Sequence, residues 1–186
     1  SRSVLESLRQ PLEDGEVTIS RAKMTVSFPS QFMLIAAMNP CPCGFYRDNR
    51  RECRCSVRQI EKYRRRISGP FLDRVDIHID VPPVSYRDLA TDPDEERSRD
   101  VRERVVEARR KQSERFGGAD FHTNACMDAR HVREFCEVDA DGQGLLRQAM
   151  DSLGLSARAY HKVLKVARTI ADLDDADNIR AHHVSE

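Results

Sequence analysis

The fold is decided by a stretch of thirteen residues, FMLIAAMNPCPCG at positions 32–44. Its first seven residues, 32–38, form a continuous apolar run that ends at Asn39-Pro40. A run that is apolar on both faces is typical of a central parallel strand covered by helices. We therefore predict a buried strand of a parallel sheet, with Asn39 at its carboxyl end.

The segments around this run predict further elements of an α/β unit. Leucines at helical spacing in residues 4–12 predict an N-terminal helix. Residues 16–28 alternate between apolar and polar on both sides of Arg21-Ala22-Lys23, which predicts a β-hairpin with a cationic tip. Residues 75–81 alternate again and stop at a double proline, which predicts a second strand.

The composition changes after this double proline, near residue 84. Residues 87–116 are dense in opposite charges at i,i+4 spacing, which predicts a helix that ends at Gly117-Gly118. Further helices are predicted at about 128–136, 140–153 and 157–173, and from near Asn178. The expected organisation is an α/β part at 1–84 with a hairpin insertion at 16–28 and a Cys-rich basic insert at 40–66, a linker at 85–96, and a helical domain at 97–186.

Bulk composition excludes several classes of protein. The chain has 186 residues, and its 39% hydrophobic content is sufficient for a packed core. No run of 18 apolar residues exists and no secretory signal is present, so we expect a cytoplasmic protein without a membrane span. The chain starts at Ser1 and stops within a helical pattern at Glu186, so we expect a piece of a longer protein.

Charge is unevenly distributed along the chain. The formal net charge of zero argues against a uniformly basic nucleic-acid binder. Residues 47–66, however, hold nine Lys or Arg against three acidic residues, a net charge of +6. The two interpretations of this run are a solvated helix face and a surface that binds phosphates.

Four of the six cysteines form two close pairs, Cys41-Pro42-Cys43 and Cys53-Arg54-Cys55. Four thiolates brought together by two tight turns match a structural tetrahedral Zn²⁺ site. The motif contains no additional histidine and leaves no open coordination position, which argues against a catalytic zinc. Free thiols, a disulfide and an iron–sulfur cluster are the alternatives. Cys126 and Cys136 are isolated, and we predict that both are small buried hydrophobic residues.

The order of these elements resembles the AAA+ ATPases of the magnesium-chelatase and MCM branch. The motifs that carry the resemblance are LRQPLE at 8–13, AAMNPCPCG at 36–44, GPFLDRVD at 69–76, LSARAY at 155–160 and VARTIADL at 166–173. The resemblance implies the C-terminal half of an AAA+ P-loop ATPase core, with parallel strands and a presensor-1 β-hairpin, followed by a helical lid domain.

The resemblance also implies roles for single residues around ATP. Asn39 would be sensor 1, which orients the water that attacks the γ-phosphate. Arg74 would be the arginine finger that reaches the nucleotide of a neighbouring subunit, and Arg158 would be sensor 2. The alternatives are a strand cap for Asn39, a salt bridge to a neighbouring aspartate for Arg74, and Arg168 in place of Arg158.

The hairpin would line the pore of a hexameric ring, by the same resemblance. Lys23 and Arg21 at its tip would then contact DNA phosphates, although a tip exposed only for solubility is an alternative. In the basic insert, Arg50, Arg51 and Arg54 are further candidate DNA contacts.

Two ATPase motifs are absent from the sequence. There is no G-x-x-x-x-G-K-[ST] loop, and no apolar strand ending in an acidic pair precedes Ser3. We therefore expect that ATP and Mg²⁺ are bound only by a longer parent protein. The chain alone is expected to be monomeric and to hydrolyse no ATP.

Three functions are compatible with this sequence. The first is a hexameric DNA-remodelling ATPase, a helicase or branch-migration motor of natural transformation. The second is the magnesium chelatase subunit that drives metal insertion into protoporphyrin, and the third is a zinc-stapled module that binds nucleic acid. The segment between Asn39 and Arg74 favours DNA, because a basic, zinc-stapled insert suits a phosphate backbone better than a porphyrin.

Overall fold

The computed structural model describes residues 2–82, 84 and 96–186. The chain divides into two compact units, Ser1–Ser85 and Tyr86–Glu186. The linker predicted at 85–96 lies, apart from Glu96, outside the described residues. Across these described ranges, no helix has both the length and the apolar character needed to cross a membrane.

The first unit begins with two short helices, α1 (Arg2–Ser7) and α2 (Arg9–Asp14). Gly15 ends α2 in the left-handed conformation with φ of 68°, and its N–H donates to the carbonyl of Pro11. A glycine adopts this conformation without the steric cost that a Cβ atom would add. The predicted N-terminal helix is therefore present, but it is divided into two pieces.

An antiparallel hairpin follows, formed by β1 (Glu16–Arg21) and β2 (Met24–Pro29). Arg21 pairs with Met24, so Ala22 and Lys23 alone form the turn. Hydroxyl groups pair across one face, with Thr18 to Ser27 at 2.8 Å and Ser20 to Thr25 at 3.0 Å. Such cross-strand pairs stabilise a two-stranded sheet, and the predicted hairpin is confirmed.

The parallel strands predicted at 32–38 and 75–81 are not formed. Residues 30–39 and 75–82 have no regular secondary structure, so this part of the predicted fold is wrong for the structure. Met33 and Ile35 are each 83% exposed, and Val81 is 84% exposed. A strand needs a partner for its backbone hydrogen bonds, and within residues 2–82 the hairpin is the one sheet that forms.

The remaining helices of the first unit are short and capped. Helix α3 (Val57–Arg64) starts at a capping box in which Ser56 and Gln59 satisfy each other's backbone N–H groups. Helix α4 (Gly69–Leu72) starts at Ser68, which accepts from the N–H of Phe71. Each helix buries one apolar side chain, Ile60 in α3 and Phe71 in α4.

The second unit is helical in the described range 96–186. Its elements are α5 (Ser98–Arg115), a 3-10 turn (Asn124–Cys126), α6 (Ala129–Phe135), α7 (Ala140–Leu153), α8 (Ala157–Leu173) and α9 (Ala181–Ser185). The helices predicted at about 128–136, 140–153 and 157–173 are confirmed. Residues 87–95 of the first predicted helix lie outside the described residues, and the last predicted helix begins slightly later, at Ala181.

The core of the second unit combines apolar side chains with one buried ionic network. The apolar part includes Phe116, Met127, Val132, Leu146, Leu164 and Ile179. Cys136 is buried there as predicted, but Cys126 is exposed, so the prediction of a buried Cys126 is wrong. Cys126 lies in the 3-10 turn, where Asn124 is the residue that turns inward.

Candidate functional site

The four clustered cysteines converge in the first unit. The Sγ atom of Cys41 lies 3.4 Å from that of Cys43 and 3.7 Å from that of Cys53, and Cys43 and Cys53 are 3.6 Å apart. All four sulfur atoms, including that of Cys55, lie within 4.8 Å of one another. The N–H of Gly44 donates to the carbonyl of Cys41 and closes the first turn, and the φ of 85° at Gly44 lets the chain leave this turn in a conformation that glycine adopts without steric cost.

The spacing of these sulfur atoms fits a metal ion held by four thiolates. A tetrahedral Zn²⁺ ion with Zn–S bonds of about 2.3 Å separates its sulfur ligands by about 3.8 Å. The three sulfur–sulfur distances among Cys41, Cys43 and Cys53, 3.4–3.7 Å, are slightly below that value. The donor set and its geometry therefore fit a structural metal site, as the sequence predicted, and the cluster could hold a metal ion.

The thiols of this cluster differ strongly in acidity. The backbone N–H of Phe45 stabilises the Cys43 thiolate and lowers its pKa to about 6, against partial desolvation. The N–H of Cys55 favours the Cys53 thiolate, but desolvation and the sulfurs of Cys43 and Cys41 outweigh it and raise its pKa to about 12. Without a counter-charge, the cluster ionises only in part, and a divalent cation would supply the charge that four thiolates need.

The loop between the two cysteine pairs is packed by its own arginines. The guanidinium of Arg51 lies 5.1 Å from the ring centre of Phe45, and that of Arg47 lies 5.5 Å from the ring centre of Tyr46. Arg50 donates to the carbonyl of Val84 at 2.9 Å. All three DNA contacts predicted in the insert are exposed, but Arg50 and Arg51 already have partners within the unit.

The residues predicted at the hairpin tip are exposed. Arg21 ends β1, and Lys23 occupies the second position of the turn. Asn39, the predicted sensor 1, is also exposed, in the extended segment before the cysteine cluster. A Cβ atom added at Gly44 would lie 4.0 Å from Cγ of Asn39.

Arg74, the predicted arginine finger, follows α4 and is held by two partners. It donates to the carbonyl of Pro70 and forms an ion pair with Glu13 at the end of α2. Its side chain is only 13% exposed. The sequence suggested a neighbouring aspartate as the alternative partner, and Glu13 was missed because it lies 61 residues away along the chain.

Arg158, the predicted sensor 2, is the second residue of α8 and is exposed. It lines a depression of about 400 Å³ together with His161, Lys162 and Lys165. The competing residue, Arg168, is instead 3% exposed and donates to Asp172 and to two backbone carbonyls. Of the two arginines, Arg158 is therefore the exposed one and Arg168 the buried one.

The cationic side chains next to Arg158 were missed in the sequence. Lys162 and Lys165 follow Arg158 at i+4 and i+7, which places all three on one face of α8. The i+4 and i+7 spacing of these lysines from Arg158 was the signal in the sequence that could have identified this cationic face. Asp128, the N-cap of α6, contributes the acidic group of the depression.

Two family models match the chain. Residues 1–89 match the family described as magnesium chelatase, subunit ChlI, and residues 95–186 match its C-terminal counterpart, magnesium chelatase, subunit ChlI C-terminal. These matches cover both structural units.

Curated proteins of three bacteria are similar to the chain. Competence protein ComM of Haemophilus influenzae is 44% identical over 186 residues, which is 100% of this chain and 35% of ComM. YifB of Escherichia coli is 39% identical over 187 residues, 100% of this chain and 36% of YifB. Rv2897c of Mycobacterium tuberculosis is 35% identical over 173 residues, 93% of this chain and 34% of that protein.

The chain thus spans about a third of the length of these relatives. The two family matches together cover nearly all of its residues, and they agree with the motifs at 36–44, 69–76 and 155–173. The chain belongs to the magnesium chelatase subunit ChlI family, in a form similar to ComM and YifB.

Proposed function

We propose that this chain is the sensor and lid region of an AAA+ ATPase motor that remodels DNA as a helicase or branch-migration enzyme. Its family supports the ATPase part of the proposal, and its similarity to a competence protein supports the DNA part. In this proposal a hexameric ring hydrolyses ATP with Mg²⁺, and both are held mainly by sequence that the longer relatives contain.

The observation that carries the proposal is the cysteine cluster with its basic surroundings. Four sulfur atoms within 4.8 Å of one another anchor a segment, residues 47–66, with nine basic and three acidic residues. Zn²⁺ bound by Cys41, Cys43, Cys53 and Cys55 would supply a structural cross-link and no reactive position. A rigid cationic surface of this kind suits a polyanionic substrate.

The residue roles in this proposal are those that the resemblance to AAA+ ATPases implies. Asn39 would orient the attacking water, Arg74 would neutralise charge at the nucleotide of an adjacent subunit, and Arg158 would contact the γ-phosphate. Lys23 and Arg21 at the hairpin tip, with Arg54 in the insert, would contact the DNA backbone. For Arg74 this requires exchange of its Glu13 partner for phosphate, which an assembled ring would provide.

A second candidate function is metal insertion into protoporphyrin, which the description of the matching family favours. The two candidates are separated by ATP turnover of the protein expressed from its complete open reading frame. Turnover that single-stranded DNA accelerates supports the motor. ATP-dependent change of the protoporphyrin absorption spectrum with Mg²⁺, without an effect of DNA, would support the chelatase instead.

The arginine finger is tested by mixing variant subunits. Arg74→Ala is expected to lower kcat by about 10³-fold or more, the range known for such fingers. Asn39 would act at the nucleotide of its own subunit, whereas Arg74 would act at the nucleotide of the adjacent subunit. In an equimolar mixture of Arg74→Ala and Asn39→Ala subunits, about a quarter of the interfaces combine an intact Asn39 with an intact Arg74, and these should recover turnover.

Glu13→Gln is the control for this experiment, because it removes the partner of Arg74 but keeps the guanidinium. It should retain most of the turnover. If Glu13→Gln loses as much activity as Arg74→Ala, or if the mixture recovers nothing, Arg74 is a structural ion-pair residue and the assignment fails.

A further inference from the structure

The cationic stripe on α3 and its last turn, formed by Arg58, Lys62, Arg65 and Arg66, is the most charged surface in the first unit that no role above explains. These residues follow each other at i, i+4, i+7 and i+8, so they share one face of the helix. All four are exposed, and together with Glu61 they line a shallow depression of about 530 Å³. The lining carries four positive charges and one negative charge.

The opposite face of α3 fixes the helix to the cysteine cluster. The capping box at Ser56 begins directly after Cys55, and Ile60 is buried. Arg64 donates to the carbonyl of Pro40 at 3.4 Å and stacks on Tyr46, with its guanidinium 5.0 Å from the ring centre. The stripe is therefore presented by a helix whose orientation depends on both cysteine pairs.

Helix stability does not account for this stripe. Cations in the last turn of a helix interact favourably with its dipole, which explains Lys62 and Arg65. Arg58 lies in the first turn, where a cation is unfavourable. Glu61 offsets little of the charge, because its pair with Arg65, at 3.6 Å, is exposed at both ends and such pairs contribute little.

Two members of the stripe have neighbours within the unit: Arg65 pairs with Glu61, and the guanidinium of Arg66 lies 5.7 Å from the ring centre of Tyr63. Arg47, Arg50 and Arg51 of the preceding loop likewise pack on aromatic rings or bond to the backbone. Within residues 2–82, by contrast, the side chains of Arg58 and Lys62 make no hydrogen bond and no ion pair. Their charges face solvent on a rigid element.

We propose that the cationic stripe of α3 binds the phosphates of a nucleic-acid strand, an inference that rests on the proposed action on DNA and names its main contact surface. From Arg58 to Arg66, α3 and the turn that follows it extend about 12 Å. That length matches three to four phosphates of one strand of a duplex, at about 3.4 Å of helix axis each. The stripe, and not the loop residues Arg50 and Arg51, then supplies most of the backbone contacts of the insert.

The test measures the salt dependence of binding to a fluorescein-labelled oligothymidylate of about 30 nucleotides, with the protein from its complete open reading frame. Arg58→Gln/Lys62→Gln should weaken binding about tenfold and reduce the slope of log K against log salt by about 1.4, the value for two lost phosphate contacts on a single strand. Arg58→Lys/Arg65→Lys should keep the slope, because it keeps the charge.

The matched control is Arg102→Gln/Arg109→Gln, which removes two exposed charges from α5 in the helical unit. It should change neither affinity nor slope, and circular dichroism of each variant checks that the helices are retained. An unchanged slope in the α3 variant, or an equal loss in the α5 control, overturns the inference.

The outcomes also separate this inference from the proposed function. Wild-type protein that binds no oligothymidylate contradicts both, and binding to anionic vesicles alone would assign the stripe to a membrane surface. Wild-type binding that depends on Arg21 and Lys23 but not on Arg58 and Lys62 would leave the DNA motor intact and overturn only the role of α3.

Discussion

Asp172 illustrates how much the helical unit depends on single residues. It is 2% exposed and accepts from Arg115 at 2.9 Å, from Arg168 at 3.1 Å and from Asn124 at 2.8 Å. Burial opposes its ionisation, but the hydrogen bonds from Arg115 and Asn124 and the two positive charges prevail and lower its pKa. The network joins α5, the 3-10 turn and α8, so one carboxylate holds three elements together.

Replacement of this carboxylate should be costly. Asp172→Asn leaves two buried or half-buried arginines without a counter-charge, and we expect the free energy of unfolding to fall by about 3–5 kcal/mol. Urea unfolding followed by circular dichroism measures it. Asp175→Asn is the control, because Asp175 pairs with Lys111 at the surface and its loss should cost less than about 1 kcal/mol. Equal losses would show that the buried network contributes nothing specific.

The lowered pKa of the Asp172 carboxyl also determines how the stability of the unit should depend on pH. Its folded pKa is below the unfolded value of about 3.9, so its contribution is complete above that value and is lost as pH falls through the folded pKa. The wild-type unit should therefore lose stability steeply below about pH 4, and Asp172→Asn should have a flatter acid limb. Unfolding midpoints in urea between pH 2 and 6 test this, and parallel curves for the two proteins would contradict it.

At the scale of elements, α7 begins at a crowded corner. Its N-cap Asp139 accepts from the N–H of Gly142 at 2.7 Å, and Val138 packs over the same turn. A Cβ atom on Gly142 would lie 2.5 Å from Cγ1 of Val138 and 2.9 Å from Oδ1 of Asp139. Gly144, one half-turn further on, has no such neighbour within 4 Å. Close packing against Val138 and Asp139 therefore requires a glycine at position 142, whereas no such packing requires one at position 144.

These two glycines provide a matched pair of substitutions. Gly142→Ala should destabilise the protein by about 1–3 kcal/mol, because the clash outweighs the gain in helix propensity. Gly144→Ala should stabilise it by up to about 1 kcal/mol, because only the propensity changes. Thermal unfolding at 222 nm measures both, and the same sign of shift in the two variants would disprove the packing explanation.

At the scale of the whole molecule, the chain consists of a unit with little core, which carries the cysteine cluster, and a unit with its own core. The first unit buries few large side chains and leaves Met33, Ile35 and Val81 mostly exposed, whereas the second has a continuous apolar core. In a small unit with little core, a structural metal commonly supplies the missing stability. The cysteine cluster brings the two ends of the loop before α3 together, and Arg64 of α3 contacts the same region at Pro40 and Tyr46.

Removal of the metal should therefore affect the two units differently. A strong chelator should release about one equivalent of Zn²⁺ and abolish hydrogen-exchange protection in α3, because folding of its surroundings is coupled to metal binding. The amides of α8 should keep their protection, since their core contains no metal ligand of the cluster. Loss of protection in both helices, or no bound metal in the untreated protein, would refute the prediction.

The sequence alone determined the elements that depend on local signals. Helical periodicity located α7 and α8, the alternation around Arg21-Ala22-Lys23 located the hairpin, and the spacing of the cysteines located the candidate metal site. Each of these signals lies within a segment of less than about 20 residues, so it is readable without knowledge of the rest of the chain.

Only the tertiary structure decided the features that need distant partners. An apolar run becomes a strand only when another strand pairs with it, and residues 32–38 have none here. Arg74 pairs with Glu13, which lies 61 positions away, and Arg168 is buried against Asp172, whereas Arg158 is exposed. Periodicity and spacing are local properties of a chain, whereas strand pairing and charge pairing depend on contacts between residues far apart in sequence, and only folding creates those contacts.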